Sequence, residues 1–294
     1  MKFRGVGTAL VTPFKRDGSL DEEGLRRFVE WQITEGIHFL VPCGTTGENP
    51  TLQHGEHRRV VEITVQTAKG RVPVLAGAGG NSTPHAVELA AMAVDLGADG
   101  ILTVTPYYNK PTTDGLRRHF GAQAEAVDKR KSGFPMILYN VPSRTGLNMT
   151  AETTLALARE IPNIAGVKEA SANMEQILTI LRERREGFAV LSGEDAWTLP
   201  LMAAGADGVI SVASNEVPRL MSEMVERRDV AIHNRLLPLL FGNFIESNPG
   251  PAKAALAMMG VLDSDTVRPP LAPMTEASRK RMKAILEECR LLKP

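Results

Sequence analysis

The sequence predicts a closed (β/α)8 barrel, a TIM barrel, followed by a C-terminal helical appendage. Eight short apolar segments recur along roughly the first 215 residues, and helical patterns separate them. Runs this apolar are typical of parallel strands that are covered on both faces. The segment LGADGILTV at 96–104 returns as AGADGVISV at 204–212, each time a helix-ending glycine, a turn and a buried strand. Eight strand-then-helix units favour a closed barrel over an open sheet.

The predicted strands are short and almost wholly apolar. They cover residues 6–11, 37–42, 72–76, 100–104, 134–139, 164–168, 188–191 and 208–212. An open dinucleotide-binding sheet would require a G-x-G-x-x-G turn after its first strand. Thr12-Pro13-Phe14 stands at that place, which excludes a Rossmann domain.

Capping residues predict where helices begin. Asn81-Ser82-Thr83-Pro84 begins a helix that Gly97 ends, Asp114 begins a second helix, and Asn173 begins a third. After Ser214 only helices are predicted, over residues 217–226, 230–244, 252–259 and 275–291, with proline breaks at 249–251 and 269–270. We therefore expect a barrel domain over residues 1–226 and a C-terminal helical region over residues 227–294.

Composition excludes several classes of protein. The 34 basic and 34 acidic side chains give a net charge of zero, so no basic field attracts nucleic acid. No apolar run approaches the roughly 20 residues of a membrane span, and the N-terminus lacks a signal-peptide core. Cys43 and Cys289 are too few for a disulfide framework. We expect a cytoplasmic protein that binds neither nucleic acid nor membrane.

The sixth predicted strand ends in a lysine. Lys168 follows Ile164, Ala165 and Val167, so its amine lies at the end of a segment that excludes water. Desolvation favours the neutral amine, which is the form that attacks a carbonyl. Lowering its pKa from about 10.4 to about 7–8 requires roughly 3–5 kcal/mol. The alternative is a strand-end lysine that extends to solvent and has no chemical role.

Polar residues collect at the carboxyl ends of three further strands, where the chemistry of this fold takes place. Strand two ends in Gly44-Thr45-Thr46-Gly47-Glu48 and strand four in Thr105-Pro106-Tyr107-Tyr108-Asn109. Strand five ends in Tyr139-Asn140-Val141-Pro142-Ser143-Arg144-Thr145-Gly146. All three tyrosines of the chain lie at these ends, which favours a functional Lys168.

Each of these motifs also has a purely structural interpretation. The hydroxyls of Thr45 and Thr46 either bond their own backbone in a tight turn or present donors to a substrate carboxylate. Tyr107 and Tyr108 either pack or take part in the chemistry. Arg144 is either a solvated loop residue or a clamp for a carboxylate.

Metal and nucleophile sites are not predicted. His54 and His57 lie three residues apart, but no acidic or cysteine partner completes a zinc set, so we expect surface histidines. The sequence contains no G-x-S-x-G elbow and no P-loop. The loops after strands seven and eight, Ser192-Gly193-Glu194-Asp195 and Ser211-Val212-Ala213-Ser214, lack a phosphate-cradling glycine run. We expect neither a bound metal nor a phosphorylated substrate.

The chain resembles the dihydrodipicolinate synthase family, within the N-acetylneuraminate lyase superfamily of class I aldolases. The resemblance extends from Ala9-Leu10-Val11-Thr12-Pro13-Phe14 to the C-terminal helices. Gly44-Thr45-Thr46-Gly47-Glu48 and the Lys168 strand mark the superfamily. The motif around Tyr139 is more specific, because the sugar-acid lyases differ at Arg144. The resemblance implies condensation of pyruvate with aspartate semialdehyde in lysine and diaminopimelate biosynthesis, without a cofactor.

The resemblance also implies a role for individual residues. Lys168 forms a Schiff base with pyruvate, and the proton relay consists of Tyr139, Thr45 and Tyr108. In the family Tyr108 is contributed by another subunit of a homotetramer built from dimers.

Three further residues are implied to bind substrate. Thr46 holds the carboxylate of pyruvate, and Arg144 binds the carboxylate of the semialdehyde at the mouth of the site. Ile210 supplies a carbonyl and an apolar wall beside the lysine.

Some members of the family are inhibited by lysine at the dimer interface. His54, His57, Asn81 and Tyr107 match that inhibitor site. His85 stands where lysine-sensitive members carry a glutamate, and Asn49-Pro50 differs too. A neutral imidazole offers no negative charge to the inhibitor's ammonium, so we expect weak or absent inhibition. The alternative is that His85 only follows Pro84 in the first turn of a helix.

Three other functions remain open from the sequence. One is a pyruvate-dependent aldolase of the same superfamily that acts on a keto-deoxy sugar acid or on N-acetylneuraminate. Another is a non-catalytic relative that binds an oxo-acid. The third is an unrelated barrel enzyme that uses Lys168 only as an electrostatic group.

Overall fold

Eight parallel strands form the centre of the structure, a computed structural model that describes residues 2–292. The strands β1 to β8 span Gly5–Ala9, Phe39–Val41, Leu75–Gly77, Gly100–Val104, Met136–Asn140, Ile164–Glu169, Ala189–Ser192 and Gly208–Ser211. Their hydrogen-bonded order is β2-β1-β8-β7-β6-β5-β4-β3. A parallel bridge between Leu40 and Val74 joins β2 to β3, and the Gly77 N–H donates to the Pro42 carbonyl over 2.9 Å. These contacts close the sheet, so the predicted barrel is confirmed.

The strand ends differ from the predicted ends by one to three residues, and local hydrogen bonding explains two cases. β1 ends at Ala9 because the Val11 N–H donates to the Asn215 side chain over 3.0 Å instead of to a strand. β5 begins at Met136, directly after Pro135, which has no N–H to donate to a ladder. β4 alone has both of its predicted ends.

Strand register places Lys168 inside the barrel. Lys168 on β6 pairs with Tyr139 on β5 and with Leu191 on β7. Tyr139 and Leu191 belong to the apolar cluster that fills the barrel, together with Ile210 on β8. Because paired residues of parallel strands point to the same face, the Lys168 side chain also points inward.

Helices surround the barrel and extend beyond it. The helices α1 to α12 span Glu22–Thr34, His54–Ala68, Thr83–Asp95, Thr113–Asp128, Pro142–Thr145, Ala151–Glu160, Met174–Glu183, Thr198–Ala203, Pro218–Arg227, Val230–Gly242, Gly250–Met258 and Glu276–Glu288. The predicted cap Asn173 is confirmed, since its side chain accepts from the Gln176 N–H over 3.1 Å. The prediction for α4 is wrong by two residues: Thr112, not Asp114, caps it by accepting from the Gly115 N–H.

The C-terminal helices α10, α11 and α12 pack against the barrel. Leu239, Leu256 and Leu286, one from each helix, belong to the same large apolar cluster as the outward-facing strand residues. The predicted break at 249–251 is the start of α11, because Pro251 occupies its first turn, where a missing N–H costs nothing. Within residues 2–292, no helix has the length and apolar character needed to cross a membrane.

Candidate active site at the carboxyl end of the barrel

Lys168 lies in a water-poor environment beside an aromatic ring. The residue is only 5% exposed, and its Nζ lies 4.4 Å from the centre of the Tyr139 ring. Burial lowers the pKa of Lys168 to about 8, while the Asp195 and Glu194 carboxylates raise it and the Arg144 guanidinium lowers it. The interpretation of Lys168 as a lysine that extends to solvent is therefore wrong. At neutral pH a substantial fraction of this amine is neutral and nucleophilic.

Tyr139, whose ring lies beside the Lys168 amine, shares a hydrogen bond with Thr45. Burial raises the pKa of the Tyr139 phenol to about 12, although the Arg144 guanidinium and a hydrogen bond with Thr45 lower it. The phenol therefore keeps its proton at neutral pH. A protonated phenol bonded to a hydroxyl can pass a proton along without itself becoming charged.

A cavity of about 240 Å³ opens beside this pair. Thr45, Tyr139 and Arg144 line it, and so does Tyr107. Lys168, Thr46 and Ile210 are buried and lie outside this lining. A cavity of this size suits a small molecule, and its polar groups suit an anionic one.

The loop after β2 holds its threonines through backbone and long-range contacts. The Gly47 N–H donates to the Gly44 carbonyl over 3.1 Å, so the loop makes a tight turn, but its threonine hydroxyls bond side chains outside the loop, Asn248 and Tyr139. The Thr46 hydroxyl does not bond this turn but accepts from the Asn248 side chain over 3.1 Å. Gly77 lies against the loop, where an added Cβ would be 2.1 Å from the Cys43 carbonyl oxygen. Only glycine allows this approach.

Arg144 and Tyr108 lie further out. Arg144 is exposed on the short helix α5 and lines the cavity. Tyr108 is 89% exposed, with a φ of 72°, and it does not line the cavity of its own chain. Of the predicted relay, the structure joins Lys168, Tyr139 and Thr45 but leaves Tyr108 at the surface.

Three residues near the site have no role predicted from the sequence. Asp195 is buried, and one of its oxygens accepts from the N–H groups of Val212 and Ala213 over 3.0 and 2.9 Å. Glu194 precedes it, and burial raises the pKa of its carboxyl. Two consecutive carboxylates at the end of a barrel strand were a usable signal. Asn248 gave no such signal, because it lies 202 residues from Thr46.

The expectation of surface histidines is wrong for His57. Its side chain is only 3% exposed and bonds the backbone of Gly77. Burial lowers the pKa of the imidazole to about 4, so it is neutral at physiological pH. His54, the first residue of α2, is exposed as expected.

Comparison with known proteins agrees with this geometry. Residues 2–289 match the Dihydrodipicolinate synthetase family. A 4-hydroxy-tetrahydrodipicolinate synthase of Koribacter versatilis is 52% identical, over 100% of this chain and 98% of that protein.

Two solved structures share the fold over almost the whole length. A dihydrodipicolinate synthase of Acinetobacter baumannii complexed with pyruvate is 42% identical, with a TM-score of 0.93, over 98% of this chain and 99% of that one. The enzyme of Cyanidioschyzon merolae with lysine bound is 39% identical, with a TM-score of 0.94, over 99% of both chains. The chain described here belongs to the dihydrodipicolinate synthetase family.

Proposed function

We propose that this protein is a lyase that condenses pyruvate with L-aspartate-4-semialdehyde to 4-hydroxy-tetrahydrodipicolinate. This reaction is the committed step of diaminopimelate and lysine biosynthesis. The observation that carries the proposal is the buried Lys168 amine with its lowered pKa, in contact with Tyr139 at the cavity. The relative that binds pyruvate and the relative named for this product support the choice of substrates.

The first step is formation of a Schiff base. The neutral Lys168 amine attacks the keto carbon of pyruvate, and water leaves to give an iminium. Tyr139 and Thr45 carry the protons that this exchange requires, because they form a hydrogen-bonded pair beside the amine. The buried Asp195 and Glu194 carboxylates offset the positive charge of the iminium.

The second step forms the carbon–carbon bond. The iminium withdraws electrons from the methyl carbon, which loses a proton and becomes the nucleophilic end of an enamine. This carbon attacks the aldehyde of the semialdehyde. The amine of the semialdehyde then displaces Lys168 as the ring closes, so the net reaction releases one water and returns the free lysine.

Substrate recognition follows from the charges around the cavity. We assign the pyruvate carboxylate to Thr46 and the semialdehyde carboxylate to Arg144 at the mouth. Ile210 closes the site on the β8 side. The iminium formed between Lys168 and pyruvate acts as the electron sink, so the proposed reaction requires neither a metal nor an organic cofactor.

We further propose that the enzyme acts in the cytoplasm as a homotetramer built from dimers. The high exposure of Tyr108 supports this, because a phenol that lies outside its own cavity is available to the site of a second copy. The free cysteines Cys43 and Cys289, both buried, suit a reducing compartment. Activity that falls on dilution to monomers would support the shared site, and fully active monomers would contradict it.

The test of the chemistry is reduction with borohydride in the presence of pyruvate, followed by mass spectrometry. We expect one reduced pyruvate per chain, located on Lys168, and none on the Lys168→Ala variant, which should also lose turnover. Lys253 is a built-in control, because burial lowers its pKa to about 8 as well but its side chain is fully buried. Modification of Lys253, or turnover by Lys168→Ala, would contradict the proposal. Parallel assays with sugar-derived aldehydes distinguish the other aldolases of the superfamily.

A further inference from the structure

A second cluster of ligating groups lies outside the barrel, where α2 begins beside α3, and it includes His54 and His85, two positions of the inhibitor site that the family resemblance implies. It consists of His54 on α2 and of His85 and Glu88 on α3. One ring nitrogen of each histidine and one carboxylate oxygen all lie within 4.8 Å of one another. The two imidazole rings are 6.4 Å apart between centres, and the His85 Nδ1 lies 3.8 Å from the Glu88 Oε2.

The helices present these groups on one face. His85 and Glu88 are three residues apart, a spacing that places both side chains on the same side of α3. His54, the first residue of α2, supplies the third group from the neighbouring helix. The sequence does not reveal Glu88 as an acidic partner of His54, because Glu88 lies 34 residues away, with a whole strand between them.

The donor set selects the class of ion. Two imidazoles and one carboxylate are the protein ligands of many zinc sites with an open position and of ferrous sites with three ligands on one side. Magnesium and calcium prefer oxygen ligands alone, so this set disfavours them. The cluster therefore suits a borderline divalent transition metal such as Zn²⁺.

The separations are compatible with one bound ion. Ligand atoms about 2.0–2.2 Å from the same ion cannot be more than about 4.4 Å apart. In the structure the three ligand atoms lie within 4.8 Å of one another, which exceeds this maximum separation by a few tenths of an ångström. All three side chains are exposed, so rotation of their terminal groups closes this difference without movement of either helix.

The surroundings leave room for the remaining ligands. His54 and Glu88 line an open groove together with Arg58, Asp95 and Arg130. Arg130 is paired with Asp95 over 3.2 Å, so its charge is partly offset. The positive charge of Arg58, which also lines the groove, repels a bound metal ion. Solvent reaches the groove, so water can complete the coordination.

We propose that His54, His85 and Glu88 bind one divalent transition-metal ion that joins α2 to α3. The segment before α2 is the loop that carries Thr45 and Thr46, and the segment before α3 follows β3. The ion thus connects two segments that begin at the mouth of the barrel. It takes no part in the condensation, because none of its ligands lines the catalytic cavity.

The experiment uses the full-length protein after treatment with a chelator and removal of the chelator. Titration with Zn²⁺ in a calorimeter should show one ion per chain, and thermal unfolding should shift to higher temperature with Zn²⁺. Cobalt(II) should bind competitively and give a visible spectrum of low coordination number. His54→Gln, His85→Gln and Glu88→Gln should each weaken binding by more than the about 10–100-fold that loss of an outer-shell partner costs.

Glu226→Gln is the matched control. Glu226 lies 3.0 Å from the His38 Nε2, so it also belongs to a histidine–carboxylate pair, but one outside the three-ligand cluster. Its loss should leave Zn²⁺ affinity unchanged. Borohydride trapping of pyruvate confirms that each variant is folded and keeps this result separate from the proposed function. No binding at one equivalent, or equal loss of affinity in the control, or full affinity in any of the three ligand variants, would overturn the proposal.

Discussion

Lys168 should form its pyruvate adduct with a pH dependence that the buried site determines. Burial lowers its pKa from the usual 10.5 to about 8. At pH 7 about one-tenth of an amine with a pKa of 8 is neutral, against about 0.03% for a pKa of 10.5. Burial therefore increases the reactive fraction roughly 300-fold. Adduct formation should accelerate as pH rises and reach a plateau above the pKa of about 8.

Asp195→Asn is the perturbation that tests this reasoning. The Asp195 carboxylate is the largest influence that raises the pKa of Lys168, so its removal lowers that pKa further. The midpoint of the pH profile should move down by about one pH unit. An asparagine oxygen still accepts from the backbone N–H groups of Val212 and Ala213, so the local fold is kept. The iminium loses a counter-charge, so the amount of adduct at equilibrium should fall.

The assay is timed borohydride trapping across a pH series, with the modified fraction read by intact mass. Asp263→Asn is the control, since it removes an exposed carboxylate that pairs with Arg27. A midpoint near 10.5, or an upward shift in Asp195→Asn, would refute the account of Lys168 as a lysine activated by burial.

Four further predictions follow from the same contacts. Tyr139→Phe should reduce turnover about 10²–10⁴-fold, because it removes the phenol of the relay, and a coupled assay measures this. Arg144→Ala should raise the KM for the semialdehyde far more than that for pyruvate, while trapping still yields the pyruvate adduct. Lys253→Met should lower the free energy of unfolding by about 3–5 kcal/mol, as measured by urea titration. The Lys253 amine lies 2.5 Å from the buried Glu48 carboxylate, and the substitution leaves this carboxylate without its charged partner. L-lysine should inhibit the initial rate weakly or not at all, because His85 offers its ammonium no negative charge.

Each of these predictions has an outcome that contradicts it. If turnover of Tyr139→Phe is within a factor of a few of that of the parent, the phenol is not part of the proton relay. Equal changes in both KM values would remove Arg144 from recognition of the semialdehyde. Lys253→Met should lower the free energy of unfolding more than Lys280→Met, which removes an exposed ion pair on α12. Equal free energies of unfolding would contradict the prediction for the buried pair. Strong inhibition by micromolar lysine would show that His85 does not decide sensitivity.

Local sequence patterns were sufficient to predict the architecture. The alternation of apolar segments with capped helices predicted eight parallel strands and their order along the chain, because both signals depend only on neighbouring residues. The ends of strands were less predictable. β1 ends where the Val11 N–H donates to the Asn215 side chain instead of to a neighbouring strand, and Asn215 lies 204 residues further along the chain.

The residues of the candidate site likewise fall into those that local sequence patterns predict and those that depend on distant parts of the chain. Lys168, Tyr139 and Thr45 stood out because each is a reactive side chain at the end of an apolar strand. The partners of the loop after β2 did not, since Asn248 and Lys253 reach it from more than 200 residues away. His57 was misplaced for a related reason: its burial depends on how α2 packs against Gly77, and the sequence does not show that packing.

The contacts of the C-terminal helical region limit how this enzyme can be recombined with its relatives. Asn248 bonds Thr46, Lys253 bonds Glu48, and Arg268 donates from its backbone to the same Glu48 carboxylate over 2.9 Å. A chimera that exchanges the chain beyond the predicted boundary at 226 would replace all three at once. Such a chimera would keep every proposed reacting group and still lose the alignment of the loop after β2, unless the donor sequence supplies the same two side chains and the same backbone contact.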